Sequence, residues 1–243
     1  MAGHKIVSRA QWLRAREAHL AREKEFTRAR DTLSRERREL PWTAVEKEYR
    51  FDGPKGQESL ADLFGGCSQL LVYHFMFHPD WEQGCKSCSL LADSYSGAPV
   101  HLASRDVTMV TVSLAPLEKL DAFKRRMGWD FKWVSSCGSD FNRDFHVSFT
   151  DEERRDNAAY YNYRETTFPE PEGPGISAFA KDDGGKVFHT YSAYGRGLDI
   201  LITTYNLLDL VPKGRDEADL DYGMQWVRHH DNYDDASAAD SFH

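Results

Sequence analysis

Apolar side chains are sparse over the first forty residues of the chain and dense from there on. Between Arg9 and Leu40 the large apolar residues are Trp12, Leu13, Leu20, Phe26, Leu33 and Leu40, with no Gly or Pro among them. Ala, Arg and Glu fill the rest, and Ser8-Arg9-Ala10-Gln11 has the form of a capping box. This pattern predicts one long helix over 8–40, stopped by Pro41, whose thin stripe packs on the body or on a second subunit. Beyond it the rhythm shortens. Tyr49 to Phe51 alternates as a short strand, with Gly53-Pro54 as its turn, and Ser59 to Phe64 reads as a short helix stopped by Gly65-Gly66. Gln69 to Phe77 and Val107 to Leu114 are apolar runs of buried-strand length. Pro116 opens a helix that runs to Met127, before Gly128, and Lys132 to Ser135 suits a short strand. Phe145 to Phe149 reads as a strand and Asp151 to Tyr163 as a helix capped by Thr150. Pro169, Pro171 and Pro174 mark an irregular stretch. Asp182-Asp183-Gly184-Gly185 then joins Ile176–Ala180 to Lys186–Tyr191 as a hairpin, and Leu198 to Leu210 forms a last helix.

Strand, helix, strand, helix, hairpin, helix is the order of a thioredoxin-like α/β fold, a mixed sheet flanked by helices. Here it carries a long N-terminal helix and an insertion before the C-terminal hairpin. The expected division is a helical extension over 1–45, the thioredoxin-like domain over 46–230 and a polar, frayed tail over 231–243. With 243 residues, 40% hydrophobic, the chain has ample material for a core, which excludes general disorder. No apolar run approaches bilayer length, and the first eight residues lack a signal-peptide core, so a cytoplasmic address is expected with no membrane partner. Net charge is −8, yet residues 1–40 hold eleven Lys and Arg against six Asp and Glu. The basic arm reads as a solvated helical face with interleaved charges, and the acidic remainder argues against nucleic acid as a partner.

Cysteine chemistry changes the picture most. Cys67, Cys85, Cys88 and Cys137 are too few for a disulfide framework, and only Cys85-Lys86-Ser87-Cys88 is a close pair. An ordinary thiol is mostly protonated at neutral pH, and thiol chemistry needs the anion. Cys85 follows a strand and precedes a predicted helix over Ser87–Ser94, whose free N–H groups and partial positive charge favour S⁻; Lys86 adds a cation. Cys85 is therefore expected to titrate between about 5 and 7.5 as the attacking thiol, with Cys88 one turn further in, less exposed, as the resolving thiol.

Other readings of the dithiol are open at this stage. A zinc site needs more ligands, with His74, His78, Cys67 and Cys137 as the candidates. Haem attachment is excluded by Ser89 after the second Cys. His78-Pro79-Asp80-Trp81-Glu82-Gln83-Gly84-Cys85 is similar to a peroxidatic loop, although Glu82 stands where a Thr hydroxyl belongs and Pro79 lies six residues before Cys85 rather than seven. Pro174, five residues before Phe179, occupies the place of the proline, commonly cis, that faces a thioredoxin dithiol. Arg196, in Gly195-Arg196-Gly197, should emerge at the same end of the sheet and could meet an anionic substrate or the thiolate. Cys67 and Cys137 read as buried small hydrophobes.

Several strings then occur in order: Asp80-Trp81-Glu82-x-Gly84-Cys85-x-x-Cys88-Ser89, Gly128-Trp129-Asp130, Ser139-Asp140-Phe141-Asn142-x-Asp144-Phe145, Phe188-His189-Thr190-Tyr191-Ser192-x-Tyr194-x-Arg196-Gly197-x-Asp199 and Pro212-Lys213-Gly214-Arg215-Asp216-Glu217. Together they resemble a bacterial thioredoxin-like family of unknown function whose members are often labelled dithiol-disulfide oxidoreductases. The resemblance implies a thioredoxin-like fold and a cytoplasmic bacterial protein. The expected function is thiol–disulfide exchange on a protein or small-molecule disulfide, through Cys85 and Cys88, with Lys86, Trp81, Pro174 and Arg196 lining the site. No cofactor or metal is expected. A non-catalytic binding protein, a peroxiredoxin-like peroxidase and a zinc protein are the alternatives, and the N-terminal helix allows a homodimer.

Overall fold

The computed structural model describes residues 3–233, and the chain falls into two compact units, Met1–Trp42 and Thr43–His243. All but the first three residues of the tail expected over 231–243 lie outside the described residues. The first unit is helix α1, Arg9–Arg38. Its start is the expected capping box: Ser8 Oγ accepts from the Gln11 amide while the Gln11 side chain accepts from the Ser8 amide. Arg35, Arg37 and Arg38 in its last turn complement the negative end of the helix, and none of its residues is buried.

The second unit is built on an eight-stranded mixed sheet in the order β1-β10-β9-β4-β5-β6-β2-β3. Its strands are β1 (Thr43–Ala44), β2 (Arg50–Gly53), β3 (Gly56–Ser59), β4 (Gln69–His74), β5 (Val107–Ser113), β6 (Trp133–Ser135), β9 (Gly175–Lys181) and β10 (Val187–Tyr194). The middle is a parallel trio, β4, β5 and β6, with Leu70 opposite Thr108 and Val112 opposite Val134. On the other side of β4 the hairpin β9–β10 runs antiparallel, Leu70 opposite Phe179. Helix α2 (Lys86–Tyr95) and α3 (Ala98–Ala103) connect β4 to β5, and α4 (Leu117–Arg126) connects β5 to β6. Parallel neighbours require such crossovers, and the sequence of parallel pair, antiparallel hairpin and closing helix is the thioredoxin arrangement.

Strand β4 divides the core. Tyr73 and Phe75 join one buried cluster with Leu90, Leu91, Leu120, Phe123 and Trp133. Leu70 and Val72 face the opposite way, into a cluster with Leu63, Phe64, Phe141 and Phe145. The alternation of a strand puts neighbouring residues on different faces, so one run serves two cores.

The insertion differs from its expected form. Phe145–Phe149 is not a strand: a short helix α5 (Phe141–Asp144) precedes it, and only Ser148 forms an isolated bridge, to Glu172. Thr150 does cap a helix, but that helix, α6, covers only Asp151–Arg155. Asn157 and Asn162 have positive φ and turn the chain into a two-stranded hairpin, β7 (Ala159–Tyr161) with β8 (Arg164–Thr166). At the far end, the expected helix over Leu198–Leu210 is broken into a 3-10 segment, Gly195–Leu201, and α7, Thr203–Leu208. Ile202, extended at φ −92 and ψ 95, separates the two because its side chain is drawn into the core. Ser59 closes β3 and only Asp62–Phe64 turns helically, as a 3-10 segment. No helix among the described residues is long and apolar enough to cross a membrane.

Candidate functional site

Strand β4 delivers the chain to a loop that doubles back on itself: the Cys85 amide donates to the Met76 carbonyl at 3.1 Å. Within that loop Gly84 lies flat on aromatic rings. A Cβ there would fall 2.7 Å from Phe75 Cε1 and 3.0 Å from Phe123 Cε1, so only glycine allows the approach. Cys85 is the N-cap of α2, and its carbonyl accepts the first helical bond, from the Ser89 amide at 2.9 Å, and the Ser89 hydroxyl at 3.0 Å. The thiol therefore belongs to the residue whose following amides begin the helix without intrahelical partners.

Cys88 sits one turn on, and the two side chains are hydrogen bonded to each other. All four cysteines are reduced thiols. Burial pushes the Cys88 thiol well up, and the bond to Cys85 and the charge of Cys85 add to that; the Tyr73 hydroxyl and the Met76 backbone pull it back down. Tyr73 is itself fully buried, and desolvation first, then Cys88, raises its phenol. It therefore keeps its proton and donates to the sulfur.

Tyr161, from β7 of the insertion, reaches the same place. Its hydroxyl donates to the Pro174 carbonyl at 2.7 Å and accepts from the Gly195 amide at 2.8 Å. Burial raises its phenol, and the charge of Cys88 adds to the effect. Gly195 leaves β10 at φ +51, which suits glycine, and this presents its N–H to Tyr161. A residue of the insertion thereby links the segment before β9 to the turn after β10, beside the dithiol.

Several expected site residues stand differently from their sequence reading. Cys85 is no more open than Cys88: they are 3% and 2% exposed, both inside the apolar cluster that contains Phe123 and Val227. Lys86 is buried rather than solvated. Trp81 packs against the same cluster, half-buried. Pro174 does precede the first hairpin strand, but no peptide bond among the described residues is cis. Arg196 is not drawn to the thiols; its side chain is 88% exposed and pairs with Asp199 at 3.1 Å, the carboxylate three residues on. Cys67 is half-buried and Cys137 exposed, because both lie in turns beyond the strand ends rather than inside the sheet. His74 Nε2 is hydrogen bonded to Ser177 Oγ at 2.8 Å, on the other side of the sheet from the thiols. No group of three metal-ligating side chains converges among the described residues.

Sequence matching covers most of this chain. A family model described as bacterial protein of unknown function, DUF899, matches residues 1–233. The chain belongs to that family. No curated protein matches it. Among solved structures, the DUF899 chain is similar to the peroxidoxin BcpB from Mycobacterium tuberculosis, at 14% identity and TM-score 0.42 over 68% of this chain and 95% of that one. It is similar to a protein from Chlorobium tepidum described as a thiol:disulfide interchange protein, DsbE, at 14% identity and TM-score 0.41 over 68% and 97%. Peroxiredoxin Q of Xanthomonas campestris gives 12%, TM-score 0.41, and 67% and 96%.

Three residues of the candidate site escape a reading by motif. Tyr73 lies in the buried run of β4, where only the need of a buried hydroxyl for a partner marks it. Tyr161 lies in the insertion, and His229 near the C-terminus; the imidazole Nε2 of His229 is 2.8 Å from the Gly84 carbonyl, one residue before Cys85.

Proposed function

We propose that this protein is a thiol–disulfide oxidoreductase, with Cys85 as nucleophile and Cys88 as resolving thiol. The observation that supports this most directly is the pairing of two reduced thiols across the first turn of α2, one at the N-cap and one held protonated by burial. In the forward direction the Cys85 thiolate attacks one sulfur of a substrate disulfide, and the other leaves as a thiolate. Cys88 then loses its proton and attacks the Cys85 sulfur. The Cys85–Cys88 disulfide forms, the first substrate sulfur departs as a thiolate, and two electrons have passed from protein to substrate. Tyr73 keeps Cys88 oriented for the second step, and the reverse sequence oxidises a substrate dithiol. Substrates are protein or small-molecule disulfides.

The test is a titration of the purified protein across glutathione ratios, read by mass spectrometry of the Cys85–Cys88 peptide. A two-electron transition at that pair is expected, and C88S should accumulate a mixed disulfide at Cys85. No disulfide between the two at any ratio rules the activity out. The burial of both sulfurs favours a second reading, a binding scaffold in which the thiols are inert. Function retained in C85S/C88S would select it.

A further inference from the structure

Cys85 is 3% exposed, and exchange needs in-line contact between sulfurs, so the resting surface leaves a second disulfide little room to approach. Movement of an element beside Cys85 would provide that room. The sheet and α2 are poor candidates, because each is held by a ladder of backbone bonds and a full apolar face. The segment from Met224 to Asp231 is different. It follows α7 with no helix or strand of its own, and it is fixed by a small set of contacts. At its upstream end Glu217 Oε1 accepts from the Met224 amide at 2.9 Å and from Trp226 Nε1 at 2.7 Å. Val227 is fully buried in the cluster that contains both cysteines. His229 bonds the Gly84 carbonyl, and Arg126 grips Asp231 with two bonds of 2.8 and 2.9 Å while its third nitrogen holds Gln83 at 2.6 Å. His230 Nδ1 meets Asp93 of α2 at 2.9 Å. The loop that carries Cys85 and the segment lying on it are thus tied together on both sides of Gly84.

We propose that residues 226–231 are a strap that closes Cys85 in the resting protein, and that release of its His229 and Asp231 ties admits the partner sulfur. The proposal extends the thiol-exchange reading and, as a claim of use, rests on it; as a claim of access it stands alone. The strap sets the fraction of molecules able to react, so the intrinsic reactivity of the thiol is multiplied by a small open population. Every tie involves a side chain, and the segment has no ladder of backbone bonds to hold it, which is where local opening is easiest.

The experiment is iodoacetamide alkylation of the full chain, resolved peptide by peptide by mass spectrometry, for the parent, Asp231→Asn and His229→Ala. Cys137, exposed in the parent and remote from both substitutions in sequence, serves as the internal standard. Alkylation of Cys85 relative to Cys137 is expected to rise about tenfold in each variant, and by the same factor at two pH values, because access and not ionisation has changed. Rates at Cys85 within about twofold of the parent in both variants overturn the strap. If His229→Ala unfolds, Asp231→Asn decides, since that pair is partly exposed and its loss leaves the core filled. Hydrogen exchange of the parent gives an independent answer: amides 226–231 should exchange ahead of those in α2, and equal protection of the two overturns the proposal. Faster alkylation with no Cys85–Cys88 disulfide at any glutathione ratio would keep the strap and remove the oxidoreductase; unchanged alkylation with a normal redox couple would do the reverse.

Discussion

The two faces of the central sheet bury different chemistry. On one, Cys85 and Cys88 sit with Tyr73 and Tyr161 among aromatic rings, and the proposed strap, residues 226–231, is held to their loop by a few side-chain ties. On the other, a chain of hydrogen bonds runs His74 Nε2, Ser177 Oγ, Ser192 Oγ, His189 Nε2 in steps of 2.8, 2.7 and 2.8 Å. It lies under Phe141 and Phe145, which stack on His74 at 5.5 and 5.8 Å. Beside α5, Glu172 is buried with Ser148 and Asn142 on its two oxygens. A Ser–His pair could suggest a second nucleophile, but Ser177 is 0% exposed and its neighbours are strands and α5 rather than a segment without regular structure. Burial alone therefore does not separate chemistry from structure. On the strap proposal, what separates them is whether the cover can open. The histidine and carboxylate groups show themselves in how stability depends on pH.

The largest effect that could break this division is on exchange itself. C85S should lower disulfide reduction roughly a thousandfold or more, as removal of a nucleophile does, whereas Ser192→Ala, which cuts the hydrogen-bonded chain, should leave it within about twofold. A comparable loss in both would mean that the far face takes part in the reaction.

Next comes Glu172, whose carboxyl is pushed up to about 8 by burial, with the bonds from Ser148 and Asn142 opposing. In the unfolded chain it ionises near its ordinary value of 4.5. Between those limits the native state holds a proton that the unfolded state has released, so stability falls as pH rises from about 4.5 and the loss is complete above about 8. Glu172→Gln keeps an acceptor for Asn142 and cannot titrate; at its amide nitrogen Ser148 must accept where it now donates. Urea unfolding at pH 5 and pH 8 should show the parent losing about 3 kcal/mol more than the variant over that interval. His74 acts in the opposite sense. Burial, with a contribution from His189, lowers its imidazole to about 3, so the stability it contributes is lost as pH falls below 6.5. Equal pH slopes for the parent and Glu172→Gln would show the carboxyl to be hydrated.

A smaller effect tests the thiol face. Gly84→Ala places a methyl 2.7 Å from Phe75. Overpacking of that kind costs about 1–3 kcal/mol, and the displaced loop should also loosen the His229 bond. A variant as stable as the parent, with Cys85 no more readily alkylated, would mean that the loop is not pinned between the rings and the strap.

How far these faces can be read from the chain follows from the range of each signal. The parallel strands, the hairpin around Asp182-Asp183-Gly184-Gly185, Ser8 at the start of α1 and the dithiol at the start of α2 are local patterns with a fixed period or turn chemistry. The insertion is legible only at Thr150: Asn157 and Asn162, which turn the chain into β7–β8, are polar residues that a continuing helix also tolerates on its outer face. A shared end of the sheet places Arg196 near the thiols on paper, but a carboxylate three residues away competes at far lower entropic cost. The cover over Cys85 is out of reach of any local pattern, since nothing in residues 226–231 signals that His229 will meet Gly84 from 145 positions away.

The smallest effect is the sharpest, because it concerns one hydroxyl. Tyr73 keeps its proton through burial and donates to Cys88, so Tyr73→Phe removes a donor from a buried sulfur without removing the ring that packs on Phe75 and Tyr95. The cost in stability should be about 1 kcal/mol, that of one buried hydrogen bond. The same loss raises the Cys88 thiol further, since the Tyr73 bond is one of the two influences pulling it down. A thiol that ionises less readily resolves more slowly, so the mixed disulfide on Cys85 should persist longer in Tyr73→Phe after a single turnover, while the first attack keeps its parental rate. Quenched-flow alkylation with mass spectrometry reads both steps. Slowing of the first step and not the second would assign the hydroxyl to Cys85 and exchange the roles of the two thiols.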